Sequence, residues 1–151
     1  MATVRGCFFP DDLWYDVPRH IWYREESDDR VVVGITAVAV ALAGEVLAFT
    51  PLRVGREVRT GRSCATIESG KWVGPVRSVC AGRVIAINET LMERPALVNR
   101  DPYGEGWMVA IEPADWPAAR AQLVTGAALP AAYERQMEAE KFDGCGEPNA
   151  G

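Results

Sequence analysis

Lysine is nearly absent from this chain: of sixteen basic residues fourteen are arginine, and only Lys71 and Lys141 are lysine. Histidine occurs once, at His20, and one imidazole makes no metal site without further ligands that the sequence does not assemble. The four cysteines, Cys7, Cys64, Cys80 and Cys145, contain no C-x-x-C pair. That spacing excludes a zinc ribbon and a thioredoxin-type redox motif. They read as reduced thiols, with Cys64 and Cys80 as small core residues. Long blocks of one charge are also missing, and the formal net charge is only -5. Partners with phosphate backbones or anionic lipid surfaces are therefore not expected. No apolar stretch approaches membrane-spanning length, and residues 1–10 lack the basic start, apolar centre and small-residue cleavage site of a secretion signal. The expected location is the cytoplasm.

What is present is enough for one core, because 48% of the 151 residues are hydrophobic. Short β-branched and apolar runs alternate with turn signals. His20-Ile21-Trp22-Tyr23 and Arg30-Val31-Val32-Val33-Gly34-Ile35 flank the charged turn Glu25 to Asp29 and read as a hairpin. Thr36 is a helix cap for Ala37 to Ala43, with Gly44 as the stop. Strands are expected over Glu45 to Thr50, on both sides of Lys71 (Val54 to Glu68 and Val73 to Ile87) and over Trp107 to Ile111. A helical turn is expected within Leu91 to Asn99, a helix from Asp115 towards Val124, and a final helix over Ala131 to Phe142. Residues Glu147 to Gly151 read as a frayed tail. Short strands at this spacing indicate a compact sandwich or barrel.

In a chain that places arginine wherever a positive charge is needed, a retained lysine draws attention, since only lysine has an acylatable primary amine. Lys71 lies in Glu68-Ser69-Gly70-Lys71-Trp72 between two strand-like arms. A residue to be acylated must stand clear of the body of the protein, and the tip of a tight hairpin provides that. Gly70 is read as relaxing the turn so that Lys71 projects. By itself this local pattern describes many exposed turn lysines.

The wider pattern is more specific. Glu68-Ser69-x-Lys71 at a turn, Val33-Gly34-Ile35-Thr36, the run Leu97 to Trp107 and His20-Ile21-Trp22 together resemble the glycine cleavage H-protein family over roughly Arg19 to Trp116. The resemblance implies a mainly β fold with peripheral helices (α+β), a barrel-sandwich hybrid of lipoyl-domain type with a C-terminal helix. It implies lipoate bound covalently to Lys71, within the flanking turn Glu68, Ser69, Gly70 and Trp72. It also implies a carrier without catalytic residues. Residues 1–18 would be an N-terminal extension, 19–116 the carrier unit, and 117–151 a helical segment packed on the same domain.

Two departures from the family pattern concern the surroundings of the arm. Ile21 replaces the usual acidic residue between histidine and tryptophan. Trp72-Val73-Gly74-Pro75-Val76 replaces small residues and an acidic one. That flank, with Val4-Arg5-Gly6-Cys7 at one end and Lys141 to Cys145 at the other, is similar to the lipoate-binding proteins of bacterial sulfur oxidation. This resemblance implies a monomeric carrier served by a lipoylating enzyme, working with a heterodisulfide-reductase-like complex on reduced sulfur compounds. The alternatives are a glycine cleavage carrier moving an aminomethyl group between the enzymes of that system, and an unmodified scaffold. Biotin carriage fits less well, because biotinyl lysines are typically flanked by methionines where Gly70 and Trp72 stand here. Glu68 either is read by the lipoylating enzyme or orients the turn, and Trp72 is expected to pack on its own sheet. Pairing of Cys7 with Cys145, or exchange of their thiols with the arm, would require the two ends to meet and is not expected, since cytosolic disulfides are uncommon.

Overall fold

The computed structural model describes residues 2–146; the expected tail at Glu147 to Gly151 lies outside them. In chain order the strands are β1 (Ala2–Val4), β2 (Cys7–Phe9), β3 (Trp14–Asp16), β4 (Ile21–Ser27), β5 (Arg30–Ile35), β6 (Val46–Pro51), β7 (Glu57–Val58), β8 (Arg62–Ser69), β9 (Val73–Ser78), β10 (Gly82–Ile87) and β11 (Val109–Pro113). The helices are α1 (Ala37–Ala43), α2 (Glu89–Glu93), α3 (Leu97–Arg100), α4 (Trp116–Arg120) and α5 (Leu129–Glu140). A six-stranded sheet runs β3-β4-β5-β11-β10-β7, a three-stranded sheet runs β6-β8-β9, and β1-β2 forms a separate hairpin. This is the expected mainly β architecture with a C-terminal helix.

Alternation along the strands builds two cores. Side chains of a strand point to opposite faces in turn. Tyr23, Val31, Val33 and Ile35 of the large sheet meet Phe49, Ile67 and Val76 of the small one. Trp22, Val32 and Ala110, on the opposite face of the large sheet, meet Phe9 of β2 and Leu129, Tyr133 and Met137 of α5. The two ends of the chain therefore share the second core. Tyr133 lies at i+4 from Leu129 and Met137 at i+4 from Tyr133, one buried stripe of a single helix.

Thr36 caps α1 as expected, its Oγ1 accepting from the Ala39 amide at 3.4 Å, and Gly44 ends the helix. Several expected bounds move. Helix α4 stops at Arg120, well short of Val124, because Val124 leaves the helical path to exchange backbone hydrogen bonds with Tyr15 at 2.8 and 2.9 Å. The turn expected around Pro95 is two short helices on either side of it, since proline has no amide hydrogen to continue a ladder. The last strand is displaced to Val109–Pro113, and the final helix occupies Leu129–Glu140.

The cysteine expectation is corrected at two positions. Cys64 and Cys80 are free and buried, but Cys7 and Cys145 form a disulfide across a sequence separation of 138. The cause is the docking of the ends. The Arg5 guanidinium donates to Glu134 at 2.8 Å, to Glu138 at 2.9 Å and to the Phe142 carbonyl at 2.7 Å. The Cys145 amide donates to the Arg5 carbonyl at 3.0 Å.

Candidate functional site: the β8–β9 turn

Strands β8 and β9 pair up to Glu68 opposite Val73, so residues 69–72 form the connection. The Ser69 amide donates to the Trp72 carbonyl at 2.7 Å, and the Ser69 hydroxyl stands 3.4 Å from both the Lys71 amide and the Trp72 carbonyl. Ser69 is buried and braces the turn from inside. Hydroxyls that bond the backbone two residues on stabilise such turns. Glu68 is exposed on β8 and makes no ion pair among the described residues.

Gly70 does not act as expected. It is not among the glycines with positive φ, and a Cβ there would meet nothing within 4 Å. The turn closes without the conformational freedom that glycine supplies, so Gly70 contributes openness rather than a special dihedral.

Lys71 is exposed, and its ammonium makes no hydrogen bond or ion pair with the described residues. Its aliphatic end lies over Gly44, where an added Cβ would stand 3.3 Å from Cε and 3.9 Å from Nζ. Gly44 has φ 76° and ψ -161°, so it both ends α1 in a conformation open mainly to glycine and leaves a seat for the lysine. The Asn99 side chain fixes this place: its amide donates to the Gly44 carbonyl at 2.8 Å and its oxygen accepts from the Val46 amide at 2.9 Å. Asn99 lies in the run Leu97 to Trp107, where no local signal marks it as a support for the lysine.

Glu45 shares the hollow of Lys71, and several exposed apolar side chains lie close by in the chain or in the adjoining groove. Leu42, Leu47, Trp72 and Val73 are between 44 and 63% exposed, and they account for four of the seven exposed large hydrophobic residues described. Leu47 lines a hollow with Lys71 and Gly44. Trp72 packs over Gly74 of β9, where any Cβ would overlap the indole. It also closes a groove of about 170 Å³ whose other walls are Arg19, His20, Ala39, Leu42 and Ala43. Contiguous exposed apolar surface of this kind marks a place where ligand or partner is received.

His20 lines this groove, and among the described residues no cluster of His, Cys, Asp and Glu able to hold a metal includes it. Its Nε2 stands 2.8 Å from Glu140 and its Nδ1 3.3 Å from the Tyr133 hydroxyl. Burial pulls its pKa below the ordinary value, outweighing the attraction of Glu140 and Asp16. Neutral imidazole then donates from Nε2 to Glu140 and accepts at Nδ1 from Tyr133. Burial pushes the Cys64 thiol up to about 12 and the Cys80 thiol up to about 11, so neither is a thiolate near neutrality.

An exposed, unpaired primary amine at a hairpin tip, with Leu47 and Glu45 in its hollow and Trp72 beside it, fits an acyl arm attached through an amide. Comparison with known proteins decides the family. Residues 13–136 match the model of the glycine cleavage H-protein. The chain belongs to this H-protein family.

Among its relatives, glycine cleavage system H protein 5 of Aquifex aeolicus is 48% identical over 128 residues, covering 82% of this chain and 86% of the relative. H protein 2 of the same organism is 38% identical over 150 residues, covering 99 and 92%. A probable H protein 2 of Sulfurisphaera tokodaii is 38% identical over 144 residues, covering 94 and 97%. A crystal structure of the H protein of Mycobacterium marinum superposes with a TM-score of 0.69 at 26% identity, covering 88% of this chain and 99% of that one. Glycine cleavage H proteins carry lipoate covalently on a lysine and are carriers rather than catalysts. Among the described residues no helix is long and apolar enough to cross a membrane.

Proposed function

We propose that this H protein carries lipoate as an amide of Lys71 and that a lipoylating enzyme recognises the braced turn, with Glu68 at its edge. The observation that carries this reading is the free ammonium of Lys71 at the hairpin tip. The other lysine, Lys141, lies at the left-handed end of α5, away from any hairpin. Acylation there would require the enzyme to read a helix terminus. When bound, lipoate supplies a cyclic disulfide that accepts a group or two electrons. The protein supplies position and a largely apolar groove beside the turn. Residues 19–116 form the carrier unit, working as a cytoplasmic monomer. Incubation with a lipoylating enzyme should add one lipoyl group by intact mass, and Lys71→Arg should abolish the addition; a gain that persists in the variant would overturn the assignment.

For cargo, the relatives favour glycine cleavage, since each is named for that system. On this reading the arm carries an aminomethyl group between the glycine cleavage enzymes. A second reading, sulfur transfer with a heterodisulfide-reductase-like complex, is favoured by the chemistry of the groove beside Trp72. An aminomethyl group is an amine and calls for a carboxylate acceptor. The walls of that groove contain none, Asp16 facing Arg19 and Glu140 facing His20, whereas Glu45 lines the separate hollow that holds Lys71. Arg19 and neutral His20 suit a thiolate or persulfide better. The numbering of three Aquifex relatives as 2, 3 and 5 also fits a division of labour among carriers. Reconstitution with purified glycine cleavage enzymes separates the two. Turnover comparable to that of an established H protein would sink the sulfur reading, and no turnover from lipoylated protein would sink the glycine reading.

A further inference from the structure

We propose that the Cys7–Cys145 disulfide is a redox partner of the arm on Lys71, reached along the outer face of α1. The proposal rests on lipoylation at Lys71. Helix α1 is the link between the two places. Ala37, Val40, Ala41 and Gly44 follow one another at i, i+3, i+4 and i+7 and so share a face. At one end of that face Lys71 lies over Gly44. At the other end Cys145 Sγ lies 3.7 Å from the Ala37 carbonyl oxygen, a contact only, because a disulfide sulfur has no proton to donate.

Between the two ends the face is open. Ala37, Val40 and Ala41 form one wall of a hollow of about 460 Å³, with Phe8, Tyr103 and Cys145 among the others. Asn99 lines the same hollow and donates to the Gly44 carbonyl, so one side chain joins the wall of the hollow to the lysine's seat. This track lies on the other side of α1 from the groove of His20 and Trp72, which uses Ala39, Leu42 and Ala43.

The lengths agree. Seven residue steps from Ala37 to Gly44 span about 10 Å of helix. An extended lipoyl chain places its sulfurs on the order of 10 Å from the lysine nitrogen by ordinary bond lengths. Laid along α1, an arm of that length would end near Cys145. Of the two cysteines, Cys145 is the half-buried one and Cys7 is fully buried, so Cys145 is the sulfur open to attack.

The step is thiol-disulfide exchange, with the reduced arm as the dithiol reductant. One thiolate of the reduced arm attacks Cys145 Sγ, the Sγ–Sγ bond breaks, and Cys7 leaves as a thiolate. The second arm thiolate closes the dithiolane ring and releases the Cys145 thiolate. Two electrons pass from arm to cystine, and the two protons lost by the arm thiols end on Cys7 and Cys145. The reverse exchange regenerates a dithiol arm. The released thiols stay close, because the two ends remain joined by Arg5 with Glu134 and Glu138, by Arg5 with the Phe142 carbonyl and by their shared core. Disulfides found in reducing compartments are usually transient and redox-active rather than structural.

The experiment uses the full-length protein, shown by intact mass to carry one lipoyl group and fully oxidised. The arm is reduced anaerobically with dihydrolipoamide dehydrogenase and NADH, and free thiols are trapped with N-ethylmaleimide and located by peptide mass. Labelling of Cys7 and Cys145 is expected at least tenfold faster than in unlipoylated protein or Lys71→Arg, at a rate independent of protein concentration. Ala41→Trp, a change at an exposed position that fills the track, should slow it at least tenfold without altering lipoylation. Three results would overturn the proposal: a reduced arm beside a cystine that stays oxidised, equal labelling without the lipoyl group, or a rate proportional to protein concentration. An unaltered rate in Ala41→Trp would overturn the route along α1. Absence of the lipoyl group at the initial mass measurement would instead remove the carrier reading, and this proposal with it.

Discussion

Gly44 is the seat of Lys71: the lysine's terminal methylene lies where a Cβ on residue 44 would come within 3.3 Å of it. The backbone there combines φ 76° with ψ -161°, a region essentially reserved for glycine. Gly44→Ala should therefore act twice. The strained backbone costs about 1–3 kcal/mol, read as a lower urea midpoint. Displacement of the lysine end should also slow lipoylation several-fold under limiting enzyme. Normal stability in the variant would show that the segment relaxes and that the conformation is not imposed by its surroundings.

Lys71→Arg should leave stability unchanged within about 0.5 kcal/mol, because an exposed side chain without a partner contributes little to the folded state. Equal thermal midpoints for variant and wild type, alongside loss of the lipoyl mass gain, would separate attachment chemistry from folding. A clear drop in midpoint would mean that Lys71 supports the turn.

The sequence carried the hairpin of His20 to Ile35, the capped helix from Thr36 to Gly44 and the turn at Lys71, because each depends on residues close together in the chain. Alternating burial and a cap hydroxyl are local signals. The seat on Gly44, the brace from Asn99 and the groove between Trp72 and His20 join residues dozens of positions apart. Their pairing is set by how α1 packs against β2, β5 and α3. Cys7 and Cys145 show the same limit most plainly. Composition argued for thiols, and only the docking of β1 and β2 on α5 brings the two sulfurs together. Gly70 shows the opposite error, a glycine read as a turn requirement whose freedom the turn does not use.

Two glycine–tryptophan pairs give a matched test of burial. Trp22 lies across Gly34 on the neighbouring strand and is fully buried, whereas Trp72 lies across Gly74 and is 44% exposed. A methyl group at either glycine would overlap the indole. At Gly34 the ring has nowhere to go, so Gly34→Ala should cost about 1–3 kcal/mol or more as an overpacked core. At Gly74 the ring can swing into water, so Gly74→Ala should cost under about 1 kcal/mol. Equal costs in urea titrations would contradict the placement of one of the two tryptophans.

Reduction of the Cys7–Cys145 bond should destabilise the protein by about 2–5 kcal/mol, towards the upper end because the closed loop is long. Thermal midpoints with and without a reductant such as dithiothreitol measure this. Cys145→Ser should reproduce the reduced value in both conditions. An unchanged midpoint would mean that Arg5 and the shared core alone determine how the ends are held.

His20 makes stability depend on pH with a definite sign. Burial lowers its folded pKa below the unfolded value of about 6.5, even with Glu140 and Asp16 raising it and Tyr133 against Nδ1. Between the lowered folded value and about 6.5 the unfolded chain binds the proton and the folded one does not, so stability falls as pH falls through that window. Above about 6.5 both states are neutral at this position and the contribution is flat. Asp16, whose pKa is raised by burial, acts in the opposite sense at more acidic pH, because its folded state takes up the proton first. Urea midpoints should thus decline as pH falls below about 6.5 in the wild type and decline less in His20→Gln, which retains a donor for Glu140. A wild-type midpoint that rises over the same interval would mean that the Glu140 contact, rather than burial, governs the imidazole.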